Sequence, residues 1–136
     1  MKIALIEDEP DCYETFTQML EDRGHEVLVY TRADDAVEAL KTICKCDLII
    51  LDLMMRLGTK IDPSEGDETG TALYKRIRKL APTVCVMVVT AKFKGEWWWK
   101  DFSKDKNVSY LGKPLTDFEW FHQSIQALHS RKAISH

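Results

Sequence analysis

The stretch DLIILDLMM, residues 47–55, decides the fold because it places a carboxylate inside an apolar run. Residues 48–51 are all apolar, Asp52 follows them, and three more apolar residues come next. An unpaired charge is costly to bury, so such a residue needs a partner. We therefore expect Asp52 to lie at the end of a buried strand, at the mouth of a sheet, beside a cation.

Four other short apolar runs resemble the one before Asp52. Apolar residues at successive positions are typical of strands that are covered on both faces, as in a parallel sheet. The five predicted strands are KIALI (2–6), EVLVY (26–30), DLIIL (47–51), VCVMVV (84–89) and VSYL (108–111).

Amphipathic segments between these runs predict five helices. The first follows Pro10 and ends near Gly24, and the second follows Asp34. The third runs from about Gly70 to Lys79, the fourth lies around Lys94 to Lys104, and the fifth begins at Thr116-Asp-Phe-Glu119. The last of these starts is a capping box, in which Thr116 is the N-cap. The third helix is expected to turn Leu73, Ile77 and Leu80 inward.

Strands that alternate with helices in this length predict an α/β fold, a doubly wound five-stranded parallel sheet with helices on both faces. Ligands of such sheets bind beyond the carboxyl ends of the strands. Functional side chains are therefore expected directly after each apolar run.

Composition excludes several classes of protein. The 136 residues, 45% apolar and 30% charged, predict a single globular domain over 1–136, with a core of about 2–130. A net charge of −3 argues against direct nucleic-acid binding. Because the sequence shows neither a membrane-length apolar run nor a signal peptide, we expect a cytoplasmic protein without membrane contact. The four cysteines fit no zinc pattern and predict free thiols.

Polar residues follow four of the five runs, as this fold requires of a functional site. They are Glu7, Asp8, Asp52, Thr90 and Lys113. Crowded carboxylates without thiols or imidazoles favour a hard cation such as Mg²⁺. A metal, a lysine and a hydroxyl around a central carboxylate suit phosphoryl transfer, in which the carboxylate is the nucleophile.

The segments LIEDEP, LIILDLMM, VVTA and YLGKP, in this order, resemble the receiver domain of two-component response regulators over about residues 2–130. The resemblance implies a flavodoxin-like strand order of 2-1-3-4-5. It also implies that Asp52 accepts phosphate from a histidine of a sensor kinase or a phosphotransfer protein. A chain of this kind is a signalling domain rather than an enzyme.

The resemblance further implies roles for the other site residues. Asp8, Asp52 and the backbone carbonyl of Met54 would hold Mg²⁺, and Glu7 would act mainly through bound water. Thr90 and Tyr110 would be the paired switch residues, and Thr90 and Lys113 would contact the phosphoryl group. The Lys113–Pro114 bond would be cis.

Three features depart from the family pattern. Arg56 stands where receivers commonly have a proline, and the connection to the helix at Gly70 is about ten residues longer than usual. The composition of this insertion, residues 57–69, predicts a mobile loop with little to bury. Trp97, Trp98 and Trp99 lie in the fourth helix.

Consecutive helix residues point about 100° apart, so the three tryptophans cannot all face one core. With Trp120, they predict an exposed face of the fourth helix, fifth strand and fifth helix that binds a downstream protein or a second copy.

Other functions remain open from the sequence. The chain is expected to be either a stand-alone receiver or a receiver cut from a longer regulator or hybrid kinase. A metal-dependent phosphatase with an aspartyl nucleophile would need a second aspartate at position 54, where this chain has Met54. A receiver that binds proteins without phosphate is the remaining alternative.

Overall fold

The computed structural model describes residues 1–66, 68–91, 100 and 102–134, with side chains through residue 131. The strands are β1 (Lys2–Ile6), β2 (Glu26–Tyr30), β3 (Leu48–Leu51), β4 (Cys85–Thr90) and β5 (Val108–Gly112). The helices are α1 (Pro10–Glu21), α2 (Ala33–Glu38), α3 (Leu40–Cys44), α4 (Thr69–Leu80) and α5 (Phe118–Ile134). A short 3-10 helix covers Pro63–Glu65.

The five strands form one sheet in the order β2-β1-β3-β4-β5, and every neighbouring pair is parallel. This confirms the doubly wound sheet and the 2-1-3-4-5 order. The register pairs Ile6 with Leu51, Leu51 with Val88 and Thr90 with Gly112. The carboxyl ends of β1, β3, β4 and β5 therefore lie at one edge of the sheet. The predicted site residues lie at this edge.

Alternate residues of each strand face two separate cores. Ile3 and Leu5 pack with α1 and α5, whereas Ala4 and Ile6 pack with α2, α3 and α4. Every residue of β3 and β4 is buried, as expected for strands covered on both faces. No helix among the described residues is long and apolar enough to cross a membrane.

Two of the helix predictions need correction. Leu80, predicted to face inward, is 53% exposed, because it ends α4 in the turn before β4. The N-cap of α5 is Asp117 rather than Thr116: Asp117 Oδ1 accepts a hydrogen bond from the Trp120 N–H at 3.0 Å. Glu119 forms an ion pair with Arg23 instead of completing a capping box.

The predicted helix around residues 94–104 falls mostly on residues that the structure does not describe, and Trp97, Trp98 and Trp99 lie outside the described residues as well. The cysteine prediction is confirmed, because Cys12, Cys44, Cys46 and Cys85 are all free thiols.

The insertion after β3 buries more than its composition predicts. Within residues 57–69, Ile61 is only 3% exposed and joins the core between the sheet and α2 to α4, as does Met55 just before the insertion. Asp34, in the first turn of α2, accepts hydrogen bonds from the Thr59 and Lys60 N–H groups at 2.9 Å each. These bonds hold the pKa of Asp34 below its ordinary value. The prediction that this segment has little to bury therefore fails at Ile61, whereas most of the described residues around it are exposed or half-buried.

Two ion pairs fasten the remainder of the insertion. Arg76 of α4 donates to both carboxylate oxygens of Glu65, at 2.7 and 2.8 Å. Lys60 contacts Glu38 of α2 at 2.7 Å. The segment is thus attached to α2 and to α4.

Gly70 fixes the distance between α4 and the residues that follow β3. A Cβ at this position would lie 2.4 Å from the Leu53 Cα and 2.5 Å from the Asp52 carbonyl oxygen. The Gly70 N–H donates to the Leu53 carbonyl at 3.0 Å, so helix and loop cannot separate without losing this bond. Only glycine allows α4 to pack this close to Asp52.

We expect Gly70→Ala to lower the free energy of unfolding by roughly 1–3 kcal/mol, as overpacking against rigid backbone does. Lys75→Ala is the matched control, because Lys75 is exposed on the same helix. Urea denaturation of both variants measures the difference. Equal stability of the two variants would contradict the close approach.

A pair of histidines joins the start of β2 to α5. The Nε2 atoms of His25 and His122 are 2.9 Å apart, and His25 Nδ1 is 2.9 Å from the Met1 amino group. Burial lowers the pKa of both histidines, and the charges of Arg23 and the amino terminus lower it further. A proton on either ring would place two N–H groups opposite each other.

Because their pKa values are lower in the folded state, these histidines take up protons more readily when the chain unfolds. Their contribution to stability is therefore complete above the ordinary pKa of 6.5 and is lost as the pH falls below it. Glu7, whose pKa is raised to about 7, changes stability in the opposite direction over this range. The expected result is therefore a difference between variants: as the pH falls through 6.5, His122→Gln should lose less stability than the unchanged protein. His129→Gln, on the same helix, is the control. An unchanged pH dependence in His122→Gln would contradict this role.

Candidate functional site

Backbone hydrogen bonds beyond the strand ends place the first site residues. The Glu7 N–H donates to the Tyr30 carbonyl and the Asp52 N–H to the Ile6 carbonyl, each at 3.1 Å. The parallel ladder thus continues one residue past β1 and β3. Glu7 and Asp52 are consequently held on adjacent strands at the carboxyl edge of the sheet.

Three acidic side chains meet at this edge. One carboxylate oxygen each from Glu7, Asp8 and Asp52 lies within 4.8 Å of the others. Glu7 and Asp52 are 1% and 5% exposed, and the Asp8 side chain is 17% exposed. Carboxylates in such a cluster repel one another, so the site requires positive charge nearby.

Lys113 supplies that charge. Its Nζ lies 2.6 Å from Glu7 Oε2 and 3.3 Å from Asp52 Oδ2. Lys113 follows β5 directly, and its N–H donates to the Thr90 carbonyl at 2.9 Å, which ties it to the end of β4. The predicted cis bond between Lys113 and Pro114 is confirmed.

Burial and ion pairing act in opposite directions on the pKa values of Glu7 and Lys113. Burial raises the pKa of Glu7 to about 7, although the hydrogen bond from Lys113 acts in the opposite direction. Burial alone would lower the pKa of Lys113, but the hydrogen bond to Glu7 and the charge of Asp52 raise it above its ordinary value. Lys113 therefore remains an ammonium group at neutral pH.

The Asp52 carboxylate is oriented by its own loop. Its Oδ1 accepts a hydrogen bond from the Met54 N–H at 3.1 Å, and its Oδ2 faces Lys113. The Met54 side chain is 52% exposed. The predicted position of Asp52 at the mouth of the sheet agrees with this structure. Its expected metal partner remains a prediction, and the cation that contacts it here is the Lys113 ammonium group.

The two proposed switch residues lie on neighbouring strands. Thr90 is fully buried at the last position of β4, and Tyr110 is half-buried on β5. The Tyr110 ring lies against Gly112, where a Cβ would be 3.0 Å from the tyrosine hydroxyl. Gly112 is the residue that pairs with Thr90. Tyr110 thus precedes Lys113 closely in the chain, and Thr90 lies beside Lys113 across the sheet.

An open cavity of about 420 Å³ lies over the acidic cluster. Its lining consists of Asp8, Glu9, Cys12, Asp52, Met54, Arg56, Ala91 and Lys113. A small phosphorylated group fits such a space, and Asp52 and Lys113 both line it. The sequence did not predict the presence of Cys12 or Arg56 in this lining, because both depend on how α1 and the insertion pack.

The donors of this site fit a magnesium ion. The cluster presents carboxylate oxygens, with neither imidazole nor thiolate among them, and oxygen ligands are those that Mg²⁺ prefers. Asp8 and Asp52 carry the charges that one divalent cation would balance. Glu7 is already engaged by Lys113, so its action through bound water remains a prediction.

Trp120 is the described part of the predicted partner face. It is 55% exposed on α5, consistent with its position off the buried stripe of that helix. Among the α5 side chains that the structure describes, up to residue 131, the buried ones are Phe121, His122, Ile125 and Leu128. The face itself remains a prediction.

The model of the response regulator receiver domain family matches residues 3–125 of this chain. A comparison with curated proteins found no match. Among solved structures, a response regulator receiver domain protein from Clostridium thermocellum is 23% identical, with a TM-score of 0.77 over 99% of this chain and 98% of that chain. A CheY-like receiver domain protein from Methanospirillum hungatei is 18% identical, with a TM-score of 0.75 over 99% and 98%.

NtrX from Brucella abortus, solved in complex with ADP, is 21% identical with a TM-score of 0.78. The match covers 98% of this chain but only 28% of NtrX.

At these identities the structural matches show a shared fold, whereas the family model shows the family to which the chain belongs. Receiver domains generally bind Mg²⁺ at an acidic pocket and interact with sensor kinases and downstream effectors. The chain therefore belongs to the response regulator receiver domain family, whose known role is that of a phospho-acceptor switch in two-component systems.

Proposed function

We propose that Asp52 is the phospho-acceptor of this domain. The observation that supports the proposal most directly is the position of its carboxylate. It is 5% exposed, lines a cavity, and lies 3.3 Å from the Lys113 ammonium group and within 4.8 Å of two further carboxylates. The donor is a phosphorylated histidine of a sensor kinase or of a phosphotransfer protein in the cytoplasm.

In the proposed reaction, a carboxylate oxygen of Asp52 forms a bond to phosphorus as the bond from phosphorus to the donor's histidine nitrogen breaks. The electron pair of the broken bond stays on the imidazole nitrogen, and the product on this chain is an acyl phosphate. The Met54 N–H, which binds Asp52 Oδ1, orients the carboxylate for this attack. Orientation of this kind lowers the activation barrier of the transfer, because the carboxylate already has the geometry that the attack requires.

Asp8, Asp52 and the backbone carbonyl of Met54 would hold the magnesium ion, with Glu7 acting through water. When bound, Mg²⁺ neutralises negative charge on the transferred group. Without it, Asp8 and Asp52 would repel an incoming phosphoryl group, since neither carboxylate is neutralised by Lys113 alone.

Lys113 and Thr90 act on the phosphoryl oxygens. Lys113 already bridges Glu7 and Asp52, so its ammonium group is in place before the donor arrives. A preorganised charge of this kind stabilises the transition state without a reorganisation cost. Thr90, at the end of the adjacent strand, donates the hydrogen bond that reports the presence of the phosphoryl group.

The output of the switch is a change at the surface beside β5. We propose that Thr90 and Tyr110 rearrange together and alter the face that contains Trp97, Trp98, Trp99 and Trp120. A downstream protein or a second copy of the chain would bind this face. The whole sequence, 1–136, would act as a single receiver domain, with no direct contact to membrane or nucleic acid.

We expect acetyl phosphate with Mg²⁺ to add one phosphoryl group to the protein, and Asp52→Asn to abolish the addition. Asp47→Asn is the matched control, because Asp47 is an exposed aspartate at the opposite end of the same strand. Intact-mass spectrometry measures the added group, and a chelator should prevent it. Phosphorylation that persists in Asp52→Asn, or that resists the chelator, would refute the proposal.

We expect the acyl phosphate to hydrolyse slowly, because the exposed thioether of Met54 offers an attacking water no strong hydrogen bond. Met54→Asn should speed the loss of phosphate about fivefold, which corresponds to one net hydrogen bond of ~1 kcal/mol in the transition state. Met54→Leu is the apolar control and should leave the rate unchanged. The decay of the phosphorylated mass over time gives the rates, and equal rates in the Asn and Leu variants would count against this account.

A further inference from the structure

Arg56 contacts the acidic cluster through its backbone as well as its side chain. Its N–H donates to Asp8 Oδ2 at 3.1 Å, whereas its Nε lies 3.9 Å from the same oxygen. The Arg56 side chain is 94% exposed. Because an exposed guanidinium is well screened by water, the backbone bond is the stronger restraint on Asp8.

Asp8 is the member of the cluster that Lys113 does not hold. Glu7 and Asp52 both contact the Lys113 ammonium group, within 3.3 Å. Among the residues that the structure describes, the Arg56 N–H is the group that donates a hydrogen bond to the Asp8 carboxylate. The orientation of Asp8 therefore depends on a contact from the connection after β3, just before the insertion, rather than from the sheet.

The backbone at Arg56 is fixed on both sides. Met55, the preceding residue, is 5% exposed and packs in the core. Three and four residues later, the N–H groups of Thr59 and Lys60 bind the Asp34 carboxylate. A segment anchored at both ends can hold an amide in one direction, so the Arg56 N–H is a preorganised donor.

We propose that Arg56 is a positioning residue for a divalent cation, acting through Asp8. Its N–H binds one carboxylate oxygen and fixes the rotamer of Asp8, which leaves the remaining lone pairs of the carboxylate for the cation. Hydrogen bonds that orient a metal ligand in this way contribute substantially to metal affinity. The guanidinium has a separate effect of opposite sign, since its positive charge opposes a second cation beside Asp8. This inference rests on the proposed function, in which Asp8 is a metal ligand.

Two substitutions separate the N–H from the guanidinium. Arg56→Ala removes the charge and keeps the N–H, whereas Arg56→Pro removes both, because proline has no backbone N–H. A titration with Mg²⁺, followed by the amide resonances of residues 7, 8 and 52 in ¹H–¹⁵N NMR spectra, gives the dissociation constants. The same spectra show whether each variant is folded.

We expect Arg56→Ala to bind Mg²⁺ as tightly as the unchanged protein or more tightly. Arg56→Pro should bind it about tenfold more weakly than Arg56→Ala, as the loss of a ligand-orienting partner does. Equal affinities of the two folded variants would overturn the inference. A loss of the same size in Arg56→Ala would overturn it as well, since the side chain would then be the group that matters.

Amide exchange tests the contact without the proline. The Arg56 N–H should exchange with solvent at least about fivefold faster in Asp8→Ala than in the unchanged protein, which corresponds to the loss of one hydrogen bond of ~1 kcal/mol. Unchanged exchange would overturn the inference even if Arg56→Pro fails to fold.

Phosphorylation of Asp52 is measured in parallel. Failure of phosphorylation with a tenfold difference intact would refute the proposed function alone, and normal phosphorylation with equal Mg²⁺ affinities would refute this inference alone.

Discussion

The ion pairs of Lys113 with Glu7 and Asp52 are the interaction on which the site depends. Two carboxylates that are at most 5% exposed repel each other at the sheet edge, and the Lys113 ammonium group between them offsets this repulsion. The raised pKa of Glu7 shows that the lysine compensates its burial only in part. The cluster therefore keeps negative charge that a divalent metal ion would balance, and a phosphoryl group would need that charge to be neutralised before it approached.

The alternation of apolar runs and amphipathic segments was sufficient to predict the sheet. A parallel sheet buries both faces of its central strands, so β3 and β4 had to read as continuous apolar runs. The register then brings Glu7, Asp52 and Lys113 to one edge, and a polar residue after an apolar run is visible in the sequence. Residues at strand ends were accordingly predictable, because their position follows from chain order and strand pairing alone.

Contacts made by loops were not predictable in the same way. The composition of the insertion indicated a solvated loop, yet Ile61 is buried and Asp34 binds two of its amides. Those bonds depend on how α2 approaches the loop, which sequence periodicity does not encode. The cap of α5 shows the same limit on a smaller scale: Thr116 and Asp117 are both good N-caps, and the tertiary position of the helix selects Asp117.

The connection after β3, which contains the insertion, contacts the acidic cluster at Asp8. The sheet supplies Glu7, Asp52 and Lys113 from strand ends that cannot move without breaking the ladder. Asp8, in contrast, is held by an amide of the segment that Asp34 fastens to α2. A metal ion that binds Asp8 and Asp52 would therefore connect the sheet to the loop that contains the insertion. A movement of α2 or of this loop would then change the position of Asp8 relative to the metal ion. The added residues after Asp52 thus lie where a change in loop structure can alter cation affinity while the sheet itself stays unchanged.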